Sequence, residues 1–143
     1  MVRNKYNNIP TPHQRAVSNI CNIAHEFAYD IMDMNYMNAP GVDIIISNPK
    51  NERVALIEVE VTFQQQKQHQ AKYKRRWEDL KKEIKKGKDV ILLIVGVRRD
   101  DLIRLLKRAE VPIEEYGKRI FSTLSYTDPN EIRSILLRCL GDE

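Results

Sequence analysis

Residues 40 to 61 read PGVDIIISNPKNERVALIEVEV, two apolar, β-branched runs around Asn48-Pro49-Lys50-Asn51. Such runs favour strands, and the Asn/Pro cluster between them is turn chemistry, so a β-hairpin is expected with strands over 42 to 47 and 53 to 63. Alternation puts Ile57, Val59 and Val61 on one face of the second strand and Glu58, Glu60 and Thr62 on the other. Asp43 near the start of the first strand can be brought alongside. Burying three carboxylates costs several kcal/mol or more unless something compensates, so whatever answers that charge constrains the fold.

The remaining periodicities surround this hairpin. Thr11-Pro12 reads as an N-cap with proline at the first helical position. Ala16, Ile20, Ile23, Ala24, Phe27 and Ile31 then recur at three- and four-residue steps, predicting a helix from 12 to about 33 and a short edge strand within 33 to 41. A helix over 64 to 86 carries the stripe Tyr73, Trp77, Leu80 and Ile84, which traces back to Gln70 and Gln66. The continuous run VILLIVG after Asp89 is the pattern of a central strand covered on both faces. A helix over 100 to 109, a strand over 119 to 126 and a last helix through Leu140 complete the chain. Asp128-Pro129 with Glu131 at N3 reads as the capping box of that last helix. The expectation is one α/β domain over 1 to 143, a mixed central sheet flanked by helices in the order α-β-β-β-α-β-α-β-α.

Charge is distributed unevenly. Lys67 to Lys88 holds ten basic residues against three acids, a net +7, so the rest of the chain carries −3 of the total +4. Such a segment is either a solvated helix face or the footprint of a polyanion partner. No apolar run approaches the ~20 residues that cross a bilayer, and no export signal is read, so no membrane partner is expected. Two cysteines and no disulfide framework point to a reducing cytoplasm. The chain has only five glycines and no phosphate-cradling loop, which argues against nucleotide hydrolysis, and no serine has a base at a recognisable spacing.

Converging carboxylates repel and raise one another's pKa. A hard divalent cation such as Mg²⁺ or Mn²⁺ relieves this through oxygen ligands. The alternative is that the acids lie at strand ends, solvated or paired with the many lysines.

Pro40-Gly41-Val42-Asp43 followed fifteen positions later by Glu58-Val59-Glu60 resembles the PD-(D/E)xK nuclease superfamily, with its restriction-endonuclease-like fold. The resemblance covers about 11 to 96 and is nearest in layout to archaeal Holliday-junction resolvases. It implies a Mg²⁺-dependent DNA endonuclease, with Asp43, Glu58 and Glu60 as catalytic and metal residues and a homodimer for paired cuts. Position 60 departs from the superfamily, which usually has lysine there. Gln66, Lys67 and Gln70 on the following helix, and Glu26 or Asp30 on the first, are the accessory candidates the resemblance suggests. Lys67, Lys72, Lys74, Arg75 and Arg76 are expected to contact phosphates. A nuclease fold that binds nucleic acid without cutting, and an α/β interaction module without nucleic acid, are the other readings. Trp77 and Tyr73 are read as core, and His25 and His69 as surface.

Overall fold

The computed structural model describes residues 9 to 37, 39 to 62 and 67 to 141, less the side chains of Lys67 and Gln68. The chain runs α1 (Pro12–Glu26), β1 (Asp30–Ile31), β2 (Ile44–Asn48), β3 (Arg53–Val59), α2 (Lys67–Lys85), β4 (Val90–Val95), α3 (Arg99–Arg108), a 3₁₀ turn (Ile113–Glu115), β5 (Ile120–Thr123) and α4 (Pro129–Leu140). Five strands lie in sequence order in one sheet. β1, β2 and β3 pair antiparallel, while β3, β4 and β5 pair parallel. The sheet is therefore mixed and open, with the carboxyl ends of its parallel strands at one edge. In open α/β sheets that edge is where ligands bind.

Alternation along the strands divides the core in two. Ile44, Ile46, Ala55, Ile57, Val59, Ile91, Leu93 and Val95 pack against α1 and α4. Ile45, Val54, Leu56, Leu92 and Ile94 pack on the other face, against α2 and α3. Val90 to Val95 are all buried, as their unbroken apolar run requires. Glu58, one residue from Ile57, thus points to the α2 face.

Several boundaries differ from the sequence reading. α1 ends at Glu26, seven residues short of the expected end, because Ala28 adopts a left-handed φ of +59°. Tyr29 N–H donates to Ala24 O and Ala28 N–H to His25 O, a Schellman closure with alanine where glycine is usual. The edge strand then forms at Asp30–Ile31, ahead of the expected 33 to 41. β3 is assigned to Val59, so Glu60 lies just beyond it, and residues 63 to 66 lie outside the described set. The expected capping box at α4 does not close. Asp128 caps Asn130 N–H, but Glu131 accepts from Thr123 Oγ1 and Ser125 N–H instead, tying α4 to the end of β5. A capping box does form at α1, where Thr11 and Gln14 cap each other reciprocally.

Candidate functional site

The site begins with the β2–β3 register. Ile44 pairs with Ile57, and the ladder continued by one residue sets Asp43 opposite Glu58. Asp43 Oδ2 accepts the backbone N–H of Val59 at 2.7 Å, in effect extending the ladder with a side chain. Its Oδ1 lies 3.2 Å from Nε2 of His13, in the first turn of α1. Gly41, just upstream, has φ +84°, and a Cβ there would press on an Arg76 guanidinium nitrogen at 3.3 Å. The PGVD turn is thus shaped around Arg76 as well as around its own backbone.

The other side of the site is supplied by α2. His69, Lys72, Tyr73 and Arg76 occur at helical spacing and form one face against the end of β3. Arg76, 1% exposed, donates Nε to Glu58 Oε1 at 3.0 Å, Nη1 to Asp79 Oδ2 at 3.2 Å and Nη2 to the Pro40 carbonyl at 2.8 Å. Lys72 Nζ stands 2.8 Å from Glu58 Oε2 and 2.6 Å from Glu60 Oε1. Tyr73 donates its hydroxyl to Glu60 Oε1 at 2.7 Å, and His69 Nε2 lies 3.2 Å from Glu60 Oε2. The close Lys72 contact to Glu58 Oε2 is poorly directed, so among the described residues this fully buried oxygen accepts no aligned hydrogen bond.

These contacts fix the charge states. Burial raises the Glu60 pKa, but the hydrogen bonds from Lys72 and Tyr73, with the charges of Lys72 and His69, outweigh it and hold the carboxyl below its usual range. Burial lowers Lys72, yet Glu58 and Glu60 together drive it above the ordinary lysine value. Lys72 is therefore an ammonium. Tyr73 is pushed up by burial and by the carboxylates of Glu60, Glu58 and Asp43, so it stays a neutral donor.

The compensation sought in the sequence is thus supplied by the protein: Arg76 and Lys72 answer Glu58, while Lys72, Tyr73 and His69 answer Glu60. Among the described residues, no three His, Cys, Asp or Glu side chains gather closely enough to hold one metal ion. Asp43, Glu58 and Glu60 share one end of the hairpin, but Glu60 is committed to α2, which corrects its expected place as a third metal ligand. Asp43 and Glu58 are the two carboxylates that would hold a cation, which would have to displace Lys72 from Glu58 Oε2. Asp43 is partly exposed, with the half-exposed ring of His13 at Oδ1 and the Val59 N–H at Oδ2, and among the described residues Glu58 Oε2 lacks an aligned donor. Mg²⁺ commonly takes one or two carboxylates, with waters and phosphates completing its shell.

The remaining expected residues divide clearly. Arg76 is no phosphate contact, because its guanidinium is buried on Glu58. Lys72 sits in the carboxylate cluster rather than on the outer face. Lys74 and Arg75 are exposed on α2. Glu26 lies at the far end of α1, where both its oxygens take the Arg133 guanidinium at 2.9 and 3.0 Å, so it is not in the site. Asp30 is exposed in β1. Gln70 is half-buried and makes no hydrogen bond to the cluster among the described residues, whereas Gln66 and the Lys67 side chain lie outside them. Tyr73 and Trp77 are core, as read, but His69 turns inward. In the sequence Lys72 reads as a phosphate contact and His69 as surface, and their place in the carboxylate cluster is missed because the apolar stripe is followed back through glutamines. Stepping back from Tyr73 and Arg76 by four residues reaches both.

Comparison with protein-family models, with curated proteins and with solved structures finds no match to this chain.

Proposed function

We propose that this protein is a metal-dependent nuclease whose centre comprises Asp43, Glu58, Glu60 and Lys72, with DNA as its substrate. The observation that carries the reading is Lys72. The superfamily that the PGVD and Glu58-Val59-Glu60 motifs resemble usually has lysine at position 60; this chain has glutamate there, and that glutamate grips a lysine from α2 at 2.6 Å. The combination of two acids and an ammonium is restored from a different element. The open mixed sheet, with the cluster at the carboxyl end of β3, supports the same reading.

Asp43 and Glu58 would hold Mg²⁺ or Mn²⁺, which when bound polarises a phosphate and lowers the pKa of coordinated water. Lys72, kept protonated by its two carboxylates, presents its charge where a phosphodiester gains negative charge and orients the attacking water. Glu60 is a positioning residue, its two oxygens set by Tyr73 and His69. Lys74 and Arg75 contact backbone phosphates, which fixes register but not sequence.

A second reading has one observation in its favour. Glu58 and Glu60 are already neutralised by Lys72 and Arg76, so a nuclease fold that binds nucleic acid without cutting needs no cation. Incubation with plasmid, single-stranded and four-way-junction DNA in Mg²⁺ or Mn²⁺, with chelator controls, separates the two. Metal-dependent cutting that disappears in Asp43→Asn supports the nuclease. Salt-sensitive binding without cutting supports the second reading, and absence of both binding and cutting refutes each.

A further inference from the structure

Beside the carboxylate cluster, α1 faces the loop between β5 and α4 across a cavity of about 350 Å³ lined by Pro12, Arg15, Ala16, Asn19, Tyr126 and Thr127. A second cavity of about 470 Å³ shares Arg15 and Asn19 and continues along α1 past Gln14, Ser18 and Asn22. The first lies near the site, and the second leads away from it along α1. His13, the neighbour of Pro12, contacts Asp43. At the other wall, a Cβ on Gly96 would lie 3.5 Å from Tyr126 Cδ1 and 1.9 Å from the Glu60 carbonyl oxygen, so Tyr126 stands next to the end of β3.

The lining has a consistent chemistry. It contains one guanidinium, amides and hydroxyls from Gln14, Ser18, Asn19, Asn22 and Thr127, one aromatic ring, and no carboxylate. No acid pairs with Arg15 among the described residues. The sole acid of α1, Glu26, is at its opposite end and is neutralised by Arg133. Arginine, amide and hydroxyl groups are the usual contacts of a sugar-phosphate backbone, and tyrosine offers a face on which a base stacks. Arg15 to Asn22 spans about 10 Å of helix, roughly three nucleotide steps at ~3.4 Å of duplex rise.

We propose that these adjoining cavities form a groove for the backbone of the nucleic-acid strand that leads away from the scissile phosphate. The strand is then held from two sides, by the amide-rich face of α1 as well as by the basic face of α2. This inference rests on the nuclease reading, and its test keeps the two separable. The full chain is assayed in Mn²⁺ on a labelled oligonucleotide and on bis(p-nitrophenyl) phosphate, a diester too small to reach the groove. Arg15→Glu and Asn19→Asp each place negative charge in the groove without touching the cluster, and Arg15→Gln removes charge alone.

The expected result is a KM for the oligonucleotide raised about tenfold or more by Arg15→Glu, and less by Arg15→Gln. The salt dependence of binding should flatten by about one unit of slope in the Arg15 variants, with turnover of the small diester unchanged. If the parent cuts DNA and Arg15→Glu keeps its KM, the groove is overturned while the nuclease reading stands. A parent that binds without cutting is scored by Kd in the same comparison. A parent that neither binds nor cuts overturns both.

Discussion

Replacing Arg76 with methionine removes a buried cation while keeping most of the apolar stem. The guanidinium has three acceptors: Glu58 Oε1, Asp79 Oδ2 and the Pro40 carbonyl, at 3.0, 3.2 and 2.8 Å. Glu58 is fully buried, so its charge would be left to Lys72 alone. Removing one partner of a buried ion pair costs about 3–5 kcal/mol. Against a total stability of about 5–15 kcal/mol, that is a large fraction. At roughly 3–4 °C per kcal/mol for a chain of this size, Tm should fall by about 10–20 °C. Urea unfolding followed by circular dichroism supplies the free energy. Arg75→Met, its exposed neighbour, should stay within about 0.5 kcal/mol of the parent. Adding Glu58→Gln to Arg76→Met removes the stranded charge, so the double variant should recover about 1–3 kcal/mol relative to additivity. An Arg76→Met protein within 1 kcal/mol of the parent, or strictly additive variants, would refute the counter-ion role.

Other consequences follow from the same geometry. Lys74→Gln with Arg75→Gln should weaken DNA binding and lower the slope of log affinity against log salt by about two, read by fluorescence anisotropy. Gly96→Ala forces an unfavourable φ near +103° and drives a methyl group onto the Glu60 carbonyl, so its urea midpoint should report a loss of more than about 1 kcal/mol. For Asp89, burial raises the pKa but Arg53 and Arg119 overcome it, leaving the folded value below the ordinary one. The unfolded chain then binds more protons as acid is added. This contribution is present above the usual aspartate range and is lost as pH falls through the folded value. Arg119→Gln should reduce that acid-side loss in melts taken across pH.

How far the fold was legible depends on whether its cause was local. The alternation at 57 to 62 correctly placed Glu58 opposite Ile57 and Val59, and VILLIV declared a strand covered on both faces. The end of α1 was not legible, because Phe27 and Ile31 continue the helical period while Ala28 leaves it in a conformation usually marked by glycine. Glu131 had the position of a capping residue, yet a partner across the chain reversal at Ser125 won it. At the site, the acids were conspicuous and pairing with lysines was one of the two readings, but which cations would pair was not legible. Arg76 is eighteen positions from Glu58, and nothing in the basic run distinguishes a lysine facing the sheet from one facing solvent. Only the phase of α2 against β3 selects Lys72 and His69. Glu26 was only an accessory candidate, and its partner Arg133, 107 residues away, was not legible for a similar reason.

Single-turnover cleavage of DNA in Mn²⁺, measured on the parent, Lys72→Met and the doubly substituted Glu60→Lys/Lys72→Met, tests the central claim most directly. The parent should cut. Lys72→Met should lose about a hundredfold or more in rate while binding the same DNA, the usual scale for removing one preorganised charge-stabilising group. The double variant, which moves the ammonium from α2 back onto the strand, should regain part of that loss. A parent inert on every DNA despite binding it, or a Lys72→Met protein that cuts at the parental rate, would contradict the account.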